Sequence, residues 1–255
     1  FPRRIRWHLV RDPKLTSEAL ALFLRAVFAF HRRRAKAEGI AGDCGSVTYL
    51  QRFGSSLALN LHFHALIPDG VFTEDGFHEL DPPEDEEVEA LLRVVATRVT
   101  RHLQRRGRLD DTDEEIDALG SLQAAAIQAQ LPIPSDPPPP RRVRRCAFLE
   151  GFSLHAGVRI HASDREGLER LCLYGARGPL SLQRLTELPD GRVSYKMKRP
   201  APDGSTHLVL APLDFLGRLA SLIPPPRVHL TRFHGVFAPA ARRRKAVVPA
   251  PQVPP

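Results

Sequence analysis

The sequence predicts an α+β fold with an antiparallel β-sheet and flanking helices. Two extended runs, Ser46 to Phe53 and Leu57 to Ile67, are joined by Gly54-Ser55, a pattern typical of an antiparallel hairpin. Apolar residues recur at helical spacing on both sides of this hairpin, from Thr16 to Glu38 and from Glu84 to Gly107. We therefore expect a sheet with the Leu57 run near its centre and helices packed against it.

The N-terminal part is predicted to be a strand followed by a helix. The segment Ile5-Arg6-Trp7-His8-Leu9-Val10 is predicted to be a short strand. The helix from Thr16 to Glu38 can be capped by Thr16 or Ser17 and ended by Gly39. After the hairpin, Pro68-Asp69-Gly70 predicts a turn, and Val71-Phe72 is expected to extend the sheet.

The middle of the chain predicts a helical insertion over residues 84–130. Its first helix, Glu84 to Gly107, carries one apolar stripe, acids in the first turns and arginines in the last. Thr112 and Glu115 suggest a capping box for a second helix, and the pair could form a lid. Residues 131–140 contain six prolines and are expected to be an exposed connector.

The remaining elements complete one domain over residues 1–240. Beyond it, residues 241–255 are basic, then rich in proline, and are predicted to be a disordered tail. The elements expected before the tail are a strand-rich piece (Phe148 to His161), a helix (Asp164 to Tyr174), paired strands around Asp190-Gly191 and Asp203-Gly204, a short helix (Leu213 to Ile223) and a last strand (Arg227 to Phe233).

Charge and cysteine content favour a nucleic-acid partner in a reducing compartment. The formal net charge is +8, and only five of the 37 basic residues are lysine, so arginine, which binds phosphate at two points, dominates. An anionic membrane would suit the positive charge as well, and a GC-rich genome would produce the same arginine bias. Three scattered cysteines indicate neither a disulfide framework nor a zinc site. With no membrane span or signal peptide in the pattern, we expect a soluble cytoplasmic protein, and the single internal Met197 suggests a fragment.

Two histidines share one side of the predicted Leu57 strand. Because side chains alternate along a strand, His62 and His64 lie on the face of Asn60, opposite the apolar positions, with backbones about 7 Å apart. That distance allows both imidazoles to reach one divalent metal. Across the hairpin, Gln51 could supply a third ligand. The alternatives are a polar sheet face that happens to contain histidine and an ordinary strand glutamine.

Tyr174 is the tyrosine whose surroundings suggest chemistry. It ends a predicted helix, with Arg170 one turn before it and Arg177 one turn after it. Guanidinium groups on both sides lower the cost of a phenolate and bind phosphate oxygens, which suits attack on a phosphodiester. The alternative is a half-buried helix tyrosine. The motif Arg232-Phe233-His234-Gly235 is compatible with a DNA contact and equally with a buried strand end.

With its histidine pair and its downstream tyrosine, the chain resembles the HUH endonuclease superfamily, in particular the rolling-circle insertion-sequence transposases. The segments that carry the resemblance are Gln51-Arg52-Phe53-Gly54-Ser55-Ser56, Leu59-Asn60-Leu61-His62-Phe63-His64, Pro68-Asp69-Gly70-Val71-Phe72, Leu168-Glu169-Arg170-Leu171-Cys172 with Tyr174, Asp190-Gly191-Arg192-Val193 and Arg232-Phe233-His234-Gly235-Val236-Phe237-Ala238-Pro239. They cover nearly all of the chain in the expected order.

This resemblance implies a sheet of the HUH type and a bacterial transposase that nicks and rejoins single-stranded DNA at transposon ends. It implies that His62, His64 and Gln51 hold Mg²⁺ or Mn²⁺ and that Tyr174 is the nucleophile, which forms a 5′-phosphotyrosine and frees a 3′-hydroxyl. The DNA contacts that it implies are Arg177, Arg170, Arg52, Arg232 and His234.

The chain also departs from the family pattern. Arg170 stands where some members have the first of two tyrosines, so a single-tyrosine mechanism is implied. Leu173 and Gly178 replace an expected Arg and Pro, and the cysteine-rich, zinc-binding region expected upstream is missing. These departures leave a catalytically inactive DNA-binding remnant as an alternative. A metal oxygenase or cupin-like enzyme is a third interpretation, because such folds also place His-x-His on a strand, but it gives Tyr174 no role.

Overall fold

A computed structural model of the chain describes residues 1–54, 56–109, 144–198, 200–201 and 203–249. The described part is a mixed α+β structure in which the strands of every sheet pair antiparallel, as predicted. The second helix of the predicted insertion, the proline-rich connector and residues 250–255 of the predicted tail lie outside the described residues.

The described residues form the following helices and strands. The helices are α1 (Arg3–Arg11), α2 (Pro13–Ala37), α3 (Asp85–Arg105), α4 (Arg165–Ala176), α5 (Pro212–Leu222) and α6 (Arg244–Val247). The strands are β1 (Gly45–Phe53), β2 (Leu59–Leu66), β3 (Gly70–Phe72), β4 (Phe77–Glu79), β5 (Cys146–Leu149), β6 (Phe152–His155), β7 (Leu185–Glu187), β8 (Val193–Lys196), β9 (His207–Leu210) and β10 (Thr231–Gly235).

The N-terminal segment is a helix, so the strand predicted for Ile5 to Val10 is wrong. Ile5 and Leu9 are one helical turn apart, and both are fully buried in the main core. The next helix starts at Pro13 rather than at Thr16, because the carboxylate of Asp12 accepts hydrogen bonds from the backbone N–H groups of Lys14 and Leu15.

The sheet that positions the candidate site has three strands in the order β10-β1-β2. The predicted hairpin is present, with Tyr49 opposite His64 and Gln51 opposite His62. The histidine strand lies at an edge of this sheet, not near its centre as expected, and β3 does not extend it. The turn after Pro68 directs β3 into a separate pair with β4, while the distant β10 takes the place beside β1.

Each face of this sheet is covered by different helices. On one face, Leu50 and Leu61 pack into clusters with α1 and α2 side chains. On the other, α4 lies against β1, as predicted for the tyrosine helix. The helix lies so close to β1 that a Cβ added to Gly175 would collide with the ring of Tyr49. The side chains of His62 and His64 share this second face.

Helix α3 belongs to the main core. Its apolar stripe, which includes Val88, Leu92 and Val99, is buried in one cluster with α1, α2 and the β5–β6 hairpin. The stripe was predicted correctly, but its burial does not support a movable lid. A smaller core joins β1, the β7-β8-β9 sheet and α5, with Tyr195 and Phe215 at its centre.

Residues 241–249 are ordered, which corrects part of the predicted disordered tail. Arg243 forms ion pairs with Asp43 at 3.3 Å and Glu74 at 3.6 Å, and donates a hydrogen bond to the carbonyl oxygen of Phe72. Arg244 donates to the carbonyl oxygen of Phe237. The basic residues of this segment are therefore partly used to hold it on the domain.

Candidate active site

The two histidines of β2 stand side by side. The ring centroids of His62 and His64 are 4.8 Å apart, with the rings nearly perpendicular. Their placement follows from the strand, because residues two apart share a face. The structure thus brings together the pair that the alternation predicted.

Both imidazoles are suited to bind a cation. Burial lowers the pKa of His64 to about 4, with help from the nearby charges of His62 and Arg177. Burial also lowers the pKa of His62, although its contact with the carbonyl of Asn60 opposes the shift. A ring that is already neutral can bind a metal ion without first losing a proton.

Hydrogen bonding distinguishes the individual ring nitrogens. His62 Nδ1 lies 2.9 Å from the carbonyl oxygen of Asn60, which can only accept, so this nitrogen carries the proton and Nε2 keeps its lone pair. His64 Nε2 is buried and has no hydrogen-bond partner within the described ranges. A buried nitrogen without a partner is costly unless something else binds it.

Gln51 links this pair to helix α4. Its side chain is almost fully buried, and its Nε2 donates to the carbonyl oxygens of Tyr174 at 2.9 Å and Gly175 at 3.0 Å. The amide oxygen Oε1 has no hydrogen-bond partner in the described part of the chain. Gln51 therefore uses both donors on the helix and leaves one acceptor unused next to His62.

These groups could hold a divalent cation only if Gln51 takes part. No group of three or more His, Cys, Asp or Glu side chains in the described residues could hold a metal ion. The histidine pair with Gln51 Oε1 would supply two nitrogens and one oxygen, a set that suits Mn²⁺ better than Mg²⁺, which prefers oxygen ligands. The unpartnered atoms of Gln51 and His64 are what such an ion would satisfy.

Tyr174 lies next to the histidine pair. Its ring centroid is 5.4 Å from that of His64, in an edge-to-face arrangement. The residue sits in the last turn of α4, which begins where Asp164 caps the backbone N–H of Gly167. Although far apart in sequence, the tyrosine and histidines meet because α4 packs directly on β1.

Among the three tyrosines, only Tyr174 has an accessible phenol. Its exposed fraction is 44%, against 7% for Tyr49 and 1% for Tyr195. Burial, with a hydrogen bond to Cys172, raises the pKa of Tyr49 to about 12. The hydroxyl of Tyr195 accepts a hydrogen bond from Arg184. The other two phenols therefore have structural roles.

Cationic groups surround the Tyr174 ring. The guanidinium carbon of Arg177 lies 4.3 Å from the ring centroid, and its NH2 group makes a long hydrogen bond of 3.4 Å to the phenol oxygen. Lys198 Nζ lies 5.5 Å from the same centroid. Positive charge at these positions favours both a developing phenolate and a bound phosphate.

The other predicted DNA contacts lie elsewhere. Arg170 is exposed and pairs with Glu166 on α4, 3.4 Å away. Arg52 and Arg232 point to the α1 and α2 side of the sheet, where they donate to the carbonyl of Val10 and the hydroxyl of Ser17. His234 shares that side, opposite Ser46. The structure brings none of the four to Tyr174, and their contact with DNA remains a prediction.

Two residues of the site were missed by sequence reasoning. Gly175 allows the helix to approach Tyr49 closely. Its position directly after Tyr174 is the one feature of the sequence that could have drawn attention to it. Lys198 follows β8 and reaches Tyr174 from the β7-β8-β9 sheet. No local pattern marks Lys198, because its position depends on how that sheet packs.

Comparison with known proteins gives one family. A protein-family model described as "Putative transposase" matches residues 45–245. No curated protein and no solved structure matches the chain. In the described part of the chain, none of the helices combines the length and apolarity needed to cross a bilayer.

Proposed function

The chain belongs to the family described as "Putative transposase", and on this premise we propose that it nicks and rejoins single-stranded DNA as an HUH-type rolling-circle transposase. In this proposal Tyr174 attacks the scissile phosphate and forms a covalent 5′-phosphotyrosine. A transposase acts on DNA, and the net charge of +8 suits a polyanionic partner.

The observation that carries the proposal is the contact between Tyr174 and His64. The accessible phenol lies beside a pair of neutral imidazoles, at a ring separation of 5.4 Å. A tyrosine with a purely structural role does not need a side chain that is 44% exposed, nor neighbours such as His64 Nε2 and Gln51 Oε1 that lack hydrogen-bond partners in the described residues. A nucleophile that must meet a phosphate needs both features.

The residues of the chain divide the chemical work. The Tyr174 oxygen forms a bond to phosphorus while the bond from phosphorus to the 3′ oxygen breaks. The phenol proton passes to water, and the departing 3′ oxygen takes up a proton, so the charge balances. The guanidinium of Arg177 donates a hydrogen bond to the phenol oxygen and stabilises the negative charge that develops on that oxygen. Rejoining is the reverse attack by a 3′-hydroxyl on the phosphotyrosine.

His62, His64 and Gln51 are the residues that would hold Mg²⁺ or Mn²⁺. When bound, the ion would polarise the scissile phosphate as a Lewis acid. Gln51 would also fix the backbone of Tyr174 through its amide N–H groups, so that the ion site and the nucleophile share one support.

An adduct assay tests the proposal. The protein is incubated with labelled single-stranded oligonucleotides and Mn²⁺, and covalent complexes are resolved by denaturing gel electrophoresis. We expect an adduct that is lost in Tyr174→Phe and retained in Tyr195→Phe, the control in which another tyrosine loses its hydroxyl. An adduct that persists in Tyr174→Phe contradicts the assignment of the nucleophile. Binding of DNA without any adduct supports the inactive remnant instead.

A further inference from the structure

A cavity of about 200 Å³ lies beside the end of the tyrosine helix. Its wall combines Gly175 to Pro179 with residues from β1, the end of α5 and the start of β10. The lining is mostly apolar, and Ile223 and Leu230 remain 66% and 39% exposed. The volume is below the usual range for sites of drug-sized ligands, so it suits a single small flat group.

Arg177 connects this cavity to the nucleophile. Its guanidinium carbon lies 4.3 Å from the ring centroid of Tyr174 and 5.5 Å from that of Phe53, which lines the cavity. Gly175 and Ala176, directly after Tyr174, line it as well. A group bound there would therefore lie close to a phosphate at Tyr174.

The cavity also offers an unused hydrogen-bond donor. Arg177 lines it, and the Nε of this residue is buried without a hydrogen-bond partner within the described residues. Donors of this kind are satisfied by the ring nitrogens and carbonyl oxygens on the edge of a nucleobase.

From these observations we propose that the cavity binds one unstacked nucleobase of the DNA strand, next to the phosphate that Tyr174 attacks. The inference rests on the proposed function for its substrate. Proteins hold the bases of single strands on aromatic side chains beside cationic ones, and Tyr49, Phe53 and Arg177 line this cavity. Phosphate contacts alone would tolerate a strand without bases.

Gly178 provides a clean way to fill the cavity. It lines the cavity, its backbone φ is not in the left-handed region, and a Cβ added to it meets nothing within 4 Å. Gly178→Leu adds a large side chain at the cavity wall without colliding with it, and Gly178→Ala adds a small one. Gly217 on α5 has equally open space and does not line the cavity, so Gly217→Leu is the matched control.

Fluorescence anisotropy with two probes tests the proposal. One probe is a labelled 12-residue oligothymidylate, and the other is the same backbone with an abasic analogue at every position. The unaltered chain should bind the first at least about fivefold more tightly, the lower bound for one held base. Gly178→Leu should lose this preference, Gly178→Ala should lose part of it, and Gly217→Leu should keep it.

Two results overturn the proposal: no preference for bases in the unaltered chain, or full preference in Gly178→Leu. Unfolding midpoints show whether each variant folds, and the small change in Gly178→Ala keeps the test valid if the leucine variant does not. The adduct assay is independent of this readout. An absent adduct with an intact base preference rejects the proposed function alone, whereas an adduct without a base preference rejects only the cavity.

Discussion

The side-chain amide of Gln51 holds the backbone of Tyr174. Its Nε2 donates to the carbonyl oxygen of Tyr174 at 2.9 Å and to that of Gly175 at 3.0 Å, across more than half the length of the domain in sequence. The same side chain lies opposite His62 in the sheet. A single buried residue thus joins the candidate metal site to the helix of the candidate nucleophile.

Replacing Gln51 by leucine should destabilise the chain. Gln51→Leu leaves the carbonyl oxygens of Tyr174 and Gly175 without their shared donor, which costs about 1–3 kcal/mol for a buried unsatisfied group. The free energy of unfolding in urea measures the loss. Gln183→Leu is the control, because Gln183 is exposed. Equal stability of the two variants would contradict the role given to the amide.

Replacing Gly175 by alanine should move the tyrosine helix. The added methyl group would meet the ring of Tyr49, so the helix must shift away from β1, at a cost of about 1–3 kcal/mol. The adduct yield should fall with it. Gly217→Ala, in an open position on α5, should instead stabilise the chain by about 0.5–1 kcal/mol. A Gly175→Ala variant as stable as Gly217→Ala would show that the helix is not tightly packed.

The histidine pair was predictable from sequence because the strand pattern is local. Alternation over the Leu57 to Ile67 run fixes which side chains share a face, and the observed rings are adjacent. The edge position of β2 was not predictable, because it depends on pairing between β1 and the distant β10. The Ile5 to Val10 run was misassigned, since six apolar-rich residues fit a strand and a helix equally well.

The surroundings of Tyr174 were only half predictable. Arg170 and Arg177 are nearly equidistant from it in sequence, but only Arg177 reaches the phenol. The helix ends at Ala176, and Arg177 adopts an extended conformation that turns its side chain back over the ring. Helical spacing does not describe a residue beyond the helix end, so the sequence alone does not predict this asymmetry.

Removing the Arg177 guanidinium should slow adduct formation. Arg177→Ala deletes the donor closest to the Tyr174 oxygen, and a loss on the order of 10² in rate is expected for one group that stabilises developing charge. Single-turnover adduct formation with saturating DNA measures the rate. Arg165→Ala, at the other end of the same helix, removes an equal charge away from the site. Equal rates for the two variants would show that Arg177 acts only through the net charge of the chain and not through its contact with the phenol.

Binding of Mn²⁺ should stabilise the chain through the histidine pair. An ion that binds only the folded state adds about 2.7 kcal/mol at a concentration of 100 times its Kd. The unfolding temperature should therefore rise with Mn²⁺. This rise should vanish in the double variant that carries both His62→Ala and His64→Ala. His161→Ala, which changes an exposed histidine, should retain it. A rise that survives loss of both β2 histidines would place the ion elsewhere.

His31 should make the chain less stable as the pH falls from about 6.5 to about 4. Burial, with the nearby charge of Arg34, lowers the pKa of His31 to about 4, and its Nδ1 has no hydrogen-bond partner in the described part of the chain. Between these pH values the unfolded state binds a proton that the folded state does not. Stability therefore falls as the pH is lowered through this window, and the loss is complete below the folded-state pKa. His31→Phe removes the titrating group, so its urea midpoint should fall less steeply with pH than that of the unaltered chain. Parallel pH profiles for the two proteins would show that His31 is not buried as a neutral ring.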